Sequence, residues 1–107
     1  MLQPLRGEVW DAHVPRVGEH PFVLLSISPM IERLGSVVAA LVTGTSGPSA
    51  THIPLGADVG FAEYDESYVN ATDLHQFPKG KLRRRRGRLH PAEMAALEDA
   101  VRIYLGL

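Results

Sequence analysis

Residues 21–43 read PFVLLSISPMIERLGSVVAALVT and contain two apolar runs, residues 21–28 and 36–43. Runs of this length, rich in Val, Leu and Phe and bounded by Pro and Gly, are typical of buried β-strands. About seven residues, 29–35, separate the two runs. A connection of that length lets the chain reverse its direction, so antiparallel pairing of the two strands is predicted.

Antiparallel pairing would bring a titratable ring close to a hydroxyl group. In an antiparallel pair, the residue numbers of two opposed residues always add up to the same value. Strand ends at residues 28 and 36 make this value 63 or 64. His20, just before the second strand, is therefore expected opposite Thr43 or Gly44. Functional sites are commonly assembled at the rim of a sheet, where strands end and loops begin.

Five further short runs predict a mainly β domain. They are rich in β-branched and aromatic residues, and breakers such as Gly47-Pro48 and Gly56 separate them. The predicted strands cover residues 7–12, 51–55, 68–71, 74–77 and 82–88.

After residue 88 the spacing of the apolar residues becomes that of a helix. Pro91 suits the first helical turn, with His90 before it as the N-cap. One apolar stripe then recurs at helical spacing and consists of Met94, Leu97, Val101 and Leu105. Several strands followed by one C-terminal helix predict a small β-barrel with a packed helix.

The chain of 107 residues is long enough for one domain, 1–107, with one core. Its composition, 45% hydrophobic and 21% charged, is that of a globular protein. The absence of cysteine excludes disulfides, thiolate metal sites and cysteine nucleophiles. No apolar stretch approaches the roughly 20 residues that span a bilayer, and no apolar signal region is present, so a cytoplasmic protein with no membrane partner is expected.

A net charge of −1 hides a basic block, because seven of the 11 basic residues lie between residues 79 and 88. Such density favours a polyanionic partner such as a nucleic acid. The alternative is a solvated edge strand whose charges discourage aggregation. Alternation along a strand would send Arg84, Arg86 and Arg88 to one side and Arg83 and Arg85 to the other.

Six segments, in order along the chain, resemble those of the MazF/PemK toxins. They are RGEVW at residues 6–10, PFVLLS at 21–26, VVAALVT at 37–43, THIPL at 51–55, GRLHPAEM at 87–94 and LGL at 105–107. The resemblance covers nearly the whole chain. It implies a mainly β fold, a small SH3-like β-barrel of the CcdB/Kid/MazF type with a C-terminal α-helix, assembled as a homodimer.

The same resemblance implies the toxin component of a type II toxin–antitoxin system. Such toxins are metal-independent endoribonucleases that cut single-stranded RNA at specific sequences, use no cofactor and are neutralised by a cognate antitoxin protein. RNA supplies its own nucleophile, the 2′-OH beside each phosphate, so the protein has to move protons and stabilise charge. The five histidines show none of the spacings typical of a zinc site.

The resemblance places a catalytic pair on the hairpin formed by the first two runs. Thr43 matches the threonine that closes the family's third strand, whereas His20 stands where the family carries an arginine. Imidazole titrates near pH 6.5, which would make His20 a general acid–base beside Thr43 as a phosphate ligand. Alternatively, a cation elsewhere replaces the missing guanidinium, with Arg16, Arg84 and Arg86 as candidates by charge.

Four residues are candidates for binding the substrate. Glu19 either orients the neighbouring imidazole ring or is a solvated loop carboxylate. Arg84 and Arg86 are candidates for phosphate contacts. Arg86 has to be paired or exposed, because an unpaired buried guanidinium is very costly. Trp10 is either a stacking platform for a base or a packing residue.

Two other functions fit the same resemblance. A catalytically weakened member would bind RNA or antitoxin only, with His20 as the cause. A CcdB-like gyrase poison would end in an aromatic residue followed by Gly-Ile, and this chain ends Tyr104-Leu105-Gly106-Leu107. The RGEVW start favours the nuclease branch, so an endoribonuclease is the predicted function.

Overall fold

Six antiparallel strands form one sheet in the computed structural model, which describes residues 3–56 and 66–107. The strands are β1 (Glu8–Val14), β2 (Gly18–Leu24), β3 (Ser36–Thr43), β4 (His52–Leu55), β5 (Ser67–Pro78) and β6 (Leu82–Arg88). They lie in the order β4-β5-β3-β2-β1-β6. Helix α1 (Ser28–Arg33) joins β2 to β3, and helix α2 (Pro91–Leu105) follows β6. The prediction of a mainly β domain with a C-terminal helix is confirmed.

Both faces of the sheet carry an apolar core. Strands such as β2 contribute to both cores, because successive side chains point to opposite faces. On one face Val23 and Ala40 pack in a helix-side core with Leu97 of α2. On the other face Phe22 packs in a second core with Ile31 of α1. Complete burial of Leu97, which is 0% exposed, contributes about 2–3 kcal/mol to folding.

The two ends of the sheet share the helix-side core. Ile53 of β4 and Leu89, just after β6, both belong to it, although their strands lie at opposite ends of the strand order. The sheet therefore curls around one side of α2. Among the described residues, no helix is long and apolar enough to cross a membrane.

The register of β2 and β3 is the predicted one, since Phe22 lies opposite Leu41 with a sum of 63. Pairing stops there for a physical reason. The N–H of Leu25 donates to the carbonyl of Val38 at 2.8 Å, so every second N–H before it along β2 also faces β3. The residues of this series are Leu25, Val23 and Pro21, and Pro21 has no N–H to donate.

The predicted strand over residues 21–28 is wrong at both ends. β2 starts at Gly18, because its hairpin with β1 already begins at the pair Val14–Gly18. It stops at Leu24, and a helix begins at Ser28 instead of the strand continuing. Proline in the first helical turn and the complete burial of Ile31 favour this short helix over an extended chain.

The two strands predicted over residues 68–71 and 74–77 form one long strand with an irregularity. Ala40 of β3 pairs with Leu74, whereas Val42 pairs with Val69, so β5 carries extra residues at this point. Asn70 Oδ1 accepts hydrogen bonds from the backbone N–H and the hydroxyl of Thr72, at 3.0 and 2.8 Å. These hydrogen bonds between Asn70 and Thr72 therefore stabilise a bulge.

The predicted stripe of α2 is confirmed at its centre and wrong at its end. Leu97 is buried, and Met94 and Val101 pack against the helix-side core, but Leu105 is 52% exposed. At the start of the helix, the Glu93 carboxylate accepts hydrogen bonds from two backbone N–H groups. These are the N–H of His90 and the N–H of Gly56, both at 2.7 Å.

Replacement of Glu93 by Ala leaves those two N–H groups without their acceptor. We expect Glu93→Ala to lower the free energy of unfolding by about 1–2 kcal/mol, measured by urea denaturation. Asp99→Ala is the matched control on the same helix, because the Asp99 carboxylate is 73% exposed and lies 3.8 Å from Arg102. The control should change stability by less than about 0.5 kcal/mol, and equal losses in both variants would contradict this role for Glu93.

Candidate active site

A cleft opens where β2 and β3 stop pairing, beyond Phe22 and Leu41. It has a volume of about 160 Å³ and is lined by His20, Pro21, Leu41, Val42, Thr43, Gly44 and Ser67. The predicted register thus brings the exposed His20 and the half-buried Thr43 to one cleft at the end of the sheet. Their catalytic roles stay a prediction.

The Thr43 hydroxyl is positioned by the loop that follows it. Thr43 Oγ1 accepts a hydrogen bond from the backbone N–H of Thr45 at 3.1 Å. A hydroxyl carries one donor and two acceptor positions. The hydroxyl proton of Thr43 therefore stays available for another acceptor, such as an oxygen of a bound phosphate.

Two polar residues near the cleft were missed by the sequence analysis. Ser67 lines the cleft, and Tyr68 lies directly opposite Thr43 in the β3–β5 pair. The Tyr68 hydroxyl donates to Glu66 Oε2 at 2.8 Å. This hydrogen bond to a carboxylate, together with burial and the negative charge, raises the pKa of Tyr68, so the phenol stays a hydrogen-bond donor at neutral pH.

Glu19 is exposed and lies opposite His13 in the β1–β2 hairpin. Successive residues of a strand point to opposite faces, so the carboxylate of Glu19 and the imidazole of His20 point away from each other. The structure thus places Glu19 as a solvated carboxylate and does not bring it to the cleft.

Arg84 and Arg86 both contact the same carboxylate, Asp11 Oδ2. The distances are 3.5 Å from Arg84 Nε and 3.1 Å from Arg86 Nη1. Asp11 lies opposite Pro21 in the β1–β2 pair, so it points to the sheet face opposite to His20. Neither arginine is therefore brought to the cleft, and the requirement that Arg86 be paired is confirmed.

Trp10 is 5% exposed and belongs to the second core. Its indole N–H donates to Glu8 Oε1 at 3.1 Å, and the other oxygen of Glu8 accepts from Arg85 Nε at 2.7 Å. Burial leaves no ring face for a nucleotide base. The structure corresponds to the packing alternative for Trp10, and the position offers no stacking platform.

Arg16 and His52 do not line the cleft. Arg16 is exposed at the turn of the β1–β2 hairpin, with a positive φ of 72°, and no ion pair with a described residue holds it. His52, at the start of β4, contacts Thr51 through its Nδ1 atom at 2.8 Å.

A second cavity lies between α2 and the sheet, with a volume of about 360 Å³. Its rim includes Arg6, whose guanidinium donates to the carbonyl of Leu25 and pairs with Glu98 at 2.7 Å. Leu105 and Leu107 at the end of the chain also line it.

Metal ligands are not gathered in either cavity. Within residues 3–56 and 66–107, no three His, Asp or Glu side chains are placed to hold a metal ion together. Metal independence of the chemistry stays a prediction.

The two arginines on Asp11 should differ in their effect on stability. The Arg86 side chain is 12% exposed, whereas that of Arg84 is 66% exposed. We expect Arg86→Met to lower the free energy of unfolding by about 2–3 kcal/mol, since it leaves the Asp11 carboxylate, which is 16% exposed, without its closer partner. Arg84→Met should cost less than about 1 kcal/mol, and equal effects in chemical denaturation would contradict the assignment.

Comparison with known proteins gives one consistent family. A family profile described as "PemK-like, MazF-like toxin of type II toxin-antitoxin system" matches residues 5–105. A Mycobacterium tuberculosis protein named "Probable endoribonuclease MazF2" is 34% identical over 101 residues, which is 94% of this chain and 97% of that protein.

Solved structures support the same assignment. An endoribonuclease from a mycobacterial species is 27% identical, with a TM-score of 0.83 over 100% of this chain and 95% of the other. A mycobacterial endoribonuclease solved in complex with its cognate antitoxin is 28% identical, with a TM-score of 0.84 over 97% and 96% of the two chains. The family resemblance noted in the sequence is thereby confirmed, and this chain belongs to the PemK/MazF-like toxins of type II toxin–antitoxin systems.

Proposed function

We propose that this chain is an endoribonuclease that cleaves single-stranded RNA by attack of a 2′-OH on the adjacent phosphate, without a metal ion. The observation that carries the proposal is the cleft at the open end of β2 and β3, which holds His20 and Thr43 together. Relatives over almost the whole chain that are named as endoribonucleases support it.

His20 has the chemistry for the proton transfers. Cleavage requires a base for the proton of the 2′-OH and an acid for the leaving 5′-oxygen. Neutral imidazole takes up a proton on its unprotonated nitrogen, and the resulting imidazolium can give a proton to the leaving oxygen, so a single ring can serve either step in turn. The His20 side chain is exposed at the mouth of the cleft, so it can reach a phosphate that enters there.

Thr43 supplies a hydrogen bond to the same phosphate. The Thr43 proton is available because its oxygen is the acceptor for the N–H of Thr45. Tyr68 lies opposite Thr43 on the neighbouring strand, but its one hydroxyl proton is donated to Glu66 Oε2, so it supplies no hydrogen bond to the phosphate. Donors aimed at the non-bridging oxygens stabilise the charge that develops in the transition state.

Arg16 is the cation best placed to replace the guanidinium that other family members carry. Arg84 and Arg86 are held by Asp11 on the opposite sheet face. Arg16 is exposed at the β1–β2 turn, four residues before His20 on the same hairpin. An exposed arginine at this hairpin turn can contact the phosphate backbone of the RNA that enters the cleft.

A second copy of the chain and an antitoxin complete the proposed system. The end of α2 and the residues after it expose an apolar surface made of Ile103, Tyr104, Leu105 and Leu107. Exposed apolar surface of this extent next to a cavity is typical of a protein–protein interface. We infer that the homodimer forms through it; the relative solved with its cognate antitoxin supports an antitoxin partner for this chain.

Cleavage by cleft variants tests the proposal. In EDTA, wild type should cut a long unstructured RNA at one recurring short sequence. His20→Ala and Thr43→Ala should each reduce the rate by about 10²–10⁴, because proton transfer or charge stabilisation is lost. The measurement is single-turnover cleavage with the new 5′ ends mapped.

His13→Ala is the matched control for these variants. His13 is an exposed histidine on the neighbouring strand β1 and does not line the cleft, so the wild-type rate should be kept. Undiminished cleavage by His20→Ala would contradict its catalytic role. RNA retained in a gel shift but not cut by wild type would show a binding protein instead.

Light scattering tests the dimer. At micromolar concentration the wild-type chain should have the mass of a dimer, and Ile103→Glu with Leu105→Glu should shift it to a monomer. Leu34→Glu serves as the control, because Leu34 is similarly exposed, at 49%, but lies after α1. A monomeric wild type, or dissociation by the control alone, would overturn the proposed interface.

A further inference from the structure

A glycine in the loop between β3 and β4 lies against the imidazole ring of His52. A methyl group on Gly47 would lie 2.5, 2.6 and 2.7 Å from Cε1, Nδ1 and Nε2 of that ring. Non-bonded heavy atoms are at their best separation near 3.5–4.0 Å, so a side chain at this position would displace the His52 ring. The φ of Gly47 is not in the positive range. Glycine at this position therefore matters for the place of the ring and not for the backbone conformation.

The ring of His52 is tied back to the same loop. His52 Nδ1 lies 2.8 Å from Thr51 Oγ1, and that hydroxyl donates to the carbonyl of Pro48 at 3.2 Å. The contact between Nδ1 and the hydroxyl holds the ring against Thr51. The Pro48 carbonyl also accepts from the backbone N–H groups of Thr51 and His52. The ring, the turn and Gly47 thus form one packed unit.

The other end of the loop begins at the cleft. Residues 44–51 follow Thr43 directly, and Gly44 lines the cleft. These residues include no charged side chain, and the hydroxyls of Thr45, Ser46 and Ser49 are exposed. Uncharged donors and acceptors suit the edges of unstacked bases, whereas phosphates are bound mainly by cations.

We propose that the contact between Gly47 and His52 fixes loop 44–51 for reading RNA bases next to the cleft, so that this contact determines the sequence at which RNA is cut. The inference rests on the proposed endoribonuclease function. Gly47 and His52 are positioning residues here, since they act through the loop and take no part in the proton transfers of His20.

A four-variant comparison tests the inference. The variants are Gly47→Ala, His52→Ala, the double variant, and Gly35→Ala as a control whose added methyl group meets nothing within 4 Å. The readout is the ratio of kcat/KM for an RNA with the preferred sequence to that for an RNA changed at one base of it. Gly47→Ala and His52→Ala should each reduce this ratio about tenfold. A loop displaced by a fraction of an ångström no longer holds its hydrogen-bonding groups in place for the preferred base.

The double variant separates positioning from general damage. Gly47→Ala displaces the His52 ring and His52→Ala removes it, so both single changes disturb the same contact and the double variant should lose no more discrimination than the larger single loss. Thermal unfolding of each variant, compared with that of Gly35→Ala, identifies any loss that comes from unfolding. A wild-type ratio in folded Gly47→Ala, or independent losses that multiply in the double variant, would overturn the proposal.

Failure of the proposed function would be visible as a separate result. If wild type cuts no RNA, the endoribonuclease proposal fails, and the ratio of Kd values for the same two RNAs, measured by fluorescence anisotropy, replaces the kinetic ratio. An unchanged Kd ratio in Gly47→Ala would then overturn the role of the contact. A wild type that neither cuts nor binds RNA would overturn both.

Discussion

Hydrogen bonding between β2 and β3 ends at Phe22 and Leu41 because the next residue that should donate to β3 is Pro21. Pro21 still pairs with Asp11 on its other side, so β2 continues along β1 while it separates from β3. The gap between the diverging strands is the candidate cleft. The absence of an N–H group at Pro21 thus determines where the paired strands with their apolar cores end and where the polar cleft begins.

Among the described residues, three of the seven basic residues of the block pair with acids on the neighbouring strand. Asp11 holds Arg84 and Arg86, and Glu8 holds Arg85. These pairs bind β6 to β1 and turn the three guanidinium groups toward carboxylates within the chain. The density of positive charge in the sequence therefore overstates the charge available for a polyanion, and the proposed phosphate contact moves to the hairpin turn.

The register that defines the site could be predicted from sequence to within one residue, because two apolar runs with a short connection leave only two antiparallel alignments, with a sum of 63 or 64. The bounds of β3 and β6 could also be predicted from sequence. Helix α1 could not, since its sequence continues an apolar run and only the burial of Ile31 in the second core favours the helix. Local patterns carry no information on which distant residues meet.

Long-range contacts account for what was missed in the site. Tyr68 reaches Thr43 through pairing of β3 with β5, two segments far apart in sequence. The partners of Arg86 depend on two register shifts in the β1–β6 pair that no local pattern shows. Burial of Trp10 likewise follows from the second core assembled around it. Residue types indicated the chemistry, whereas strand pairing decided which of them meet.

The proposed reaction cuts RNA through the RNA's own 2′-OH, with the protein supplying proton transfer and hydrogen bonds. A decisive comparison uses an RNA that wild type cuts at one site, made again with a single 2′-deoxy nucleotide on the 5′ side of that bond, both incubated in EDTA. We expect that the all-ribose RNA is cut to give a 2′,3′-cyclic phosphate and that the substituted RNA stays intact. Cleavage of the substituted RNA, or cleavage of either RNA only when magnesium is added, would contradict it.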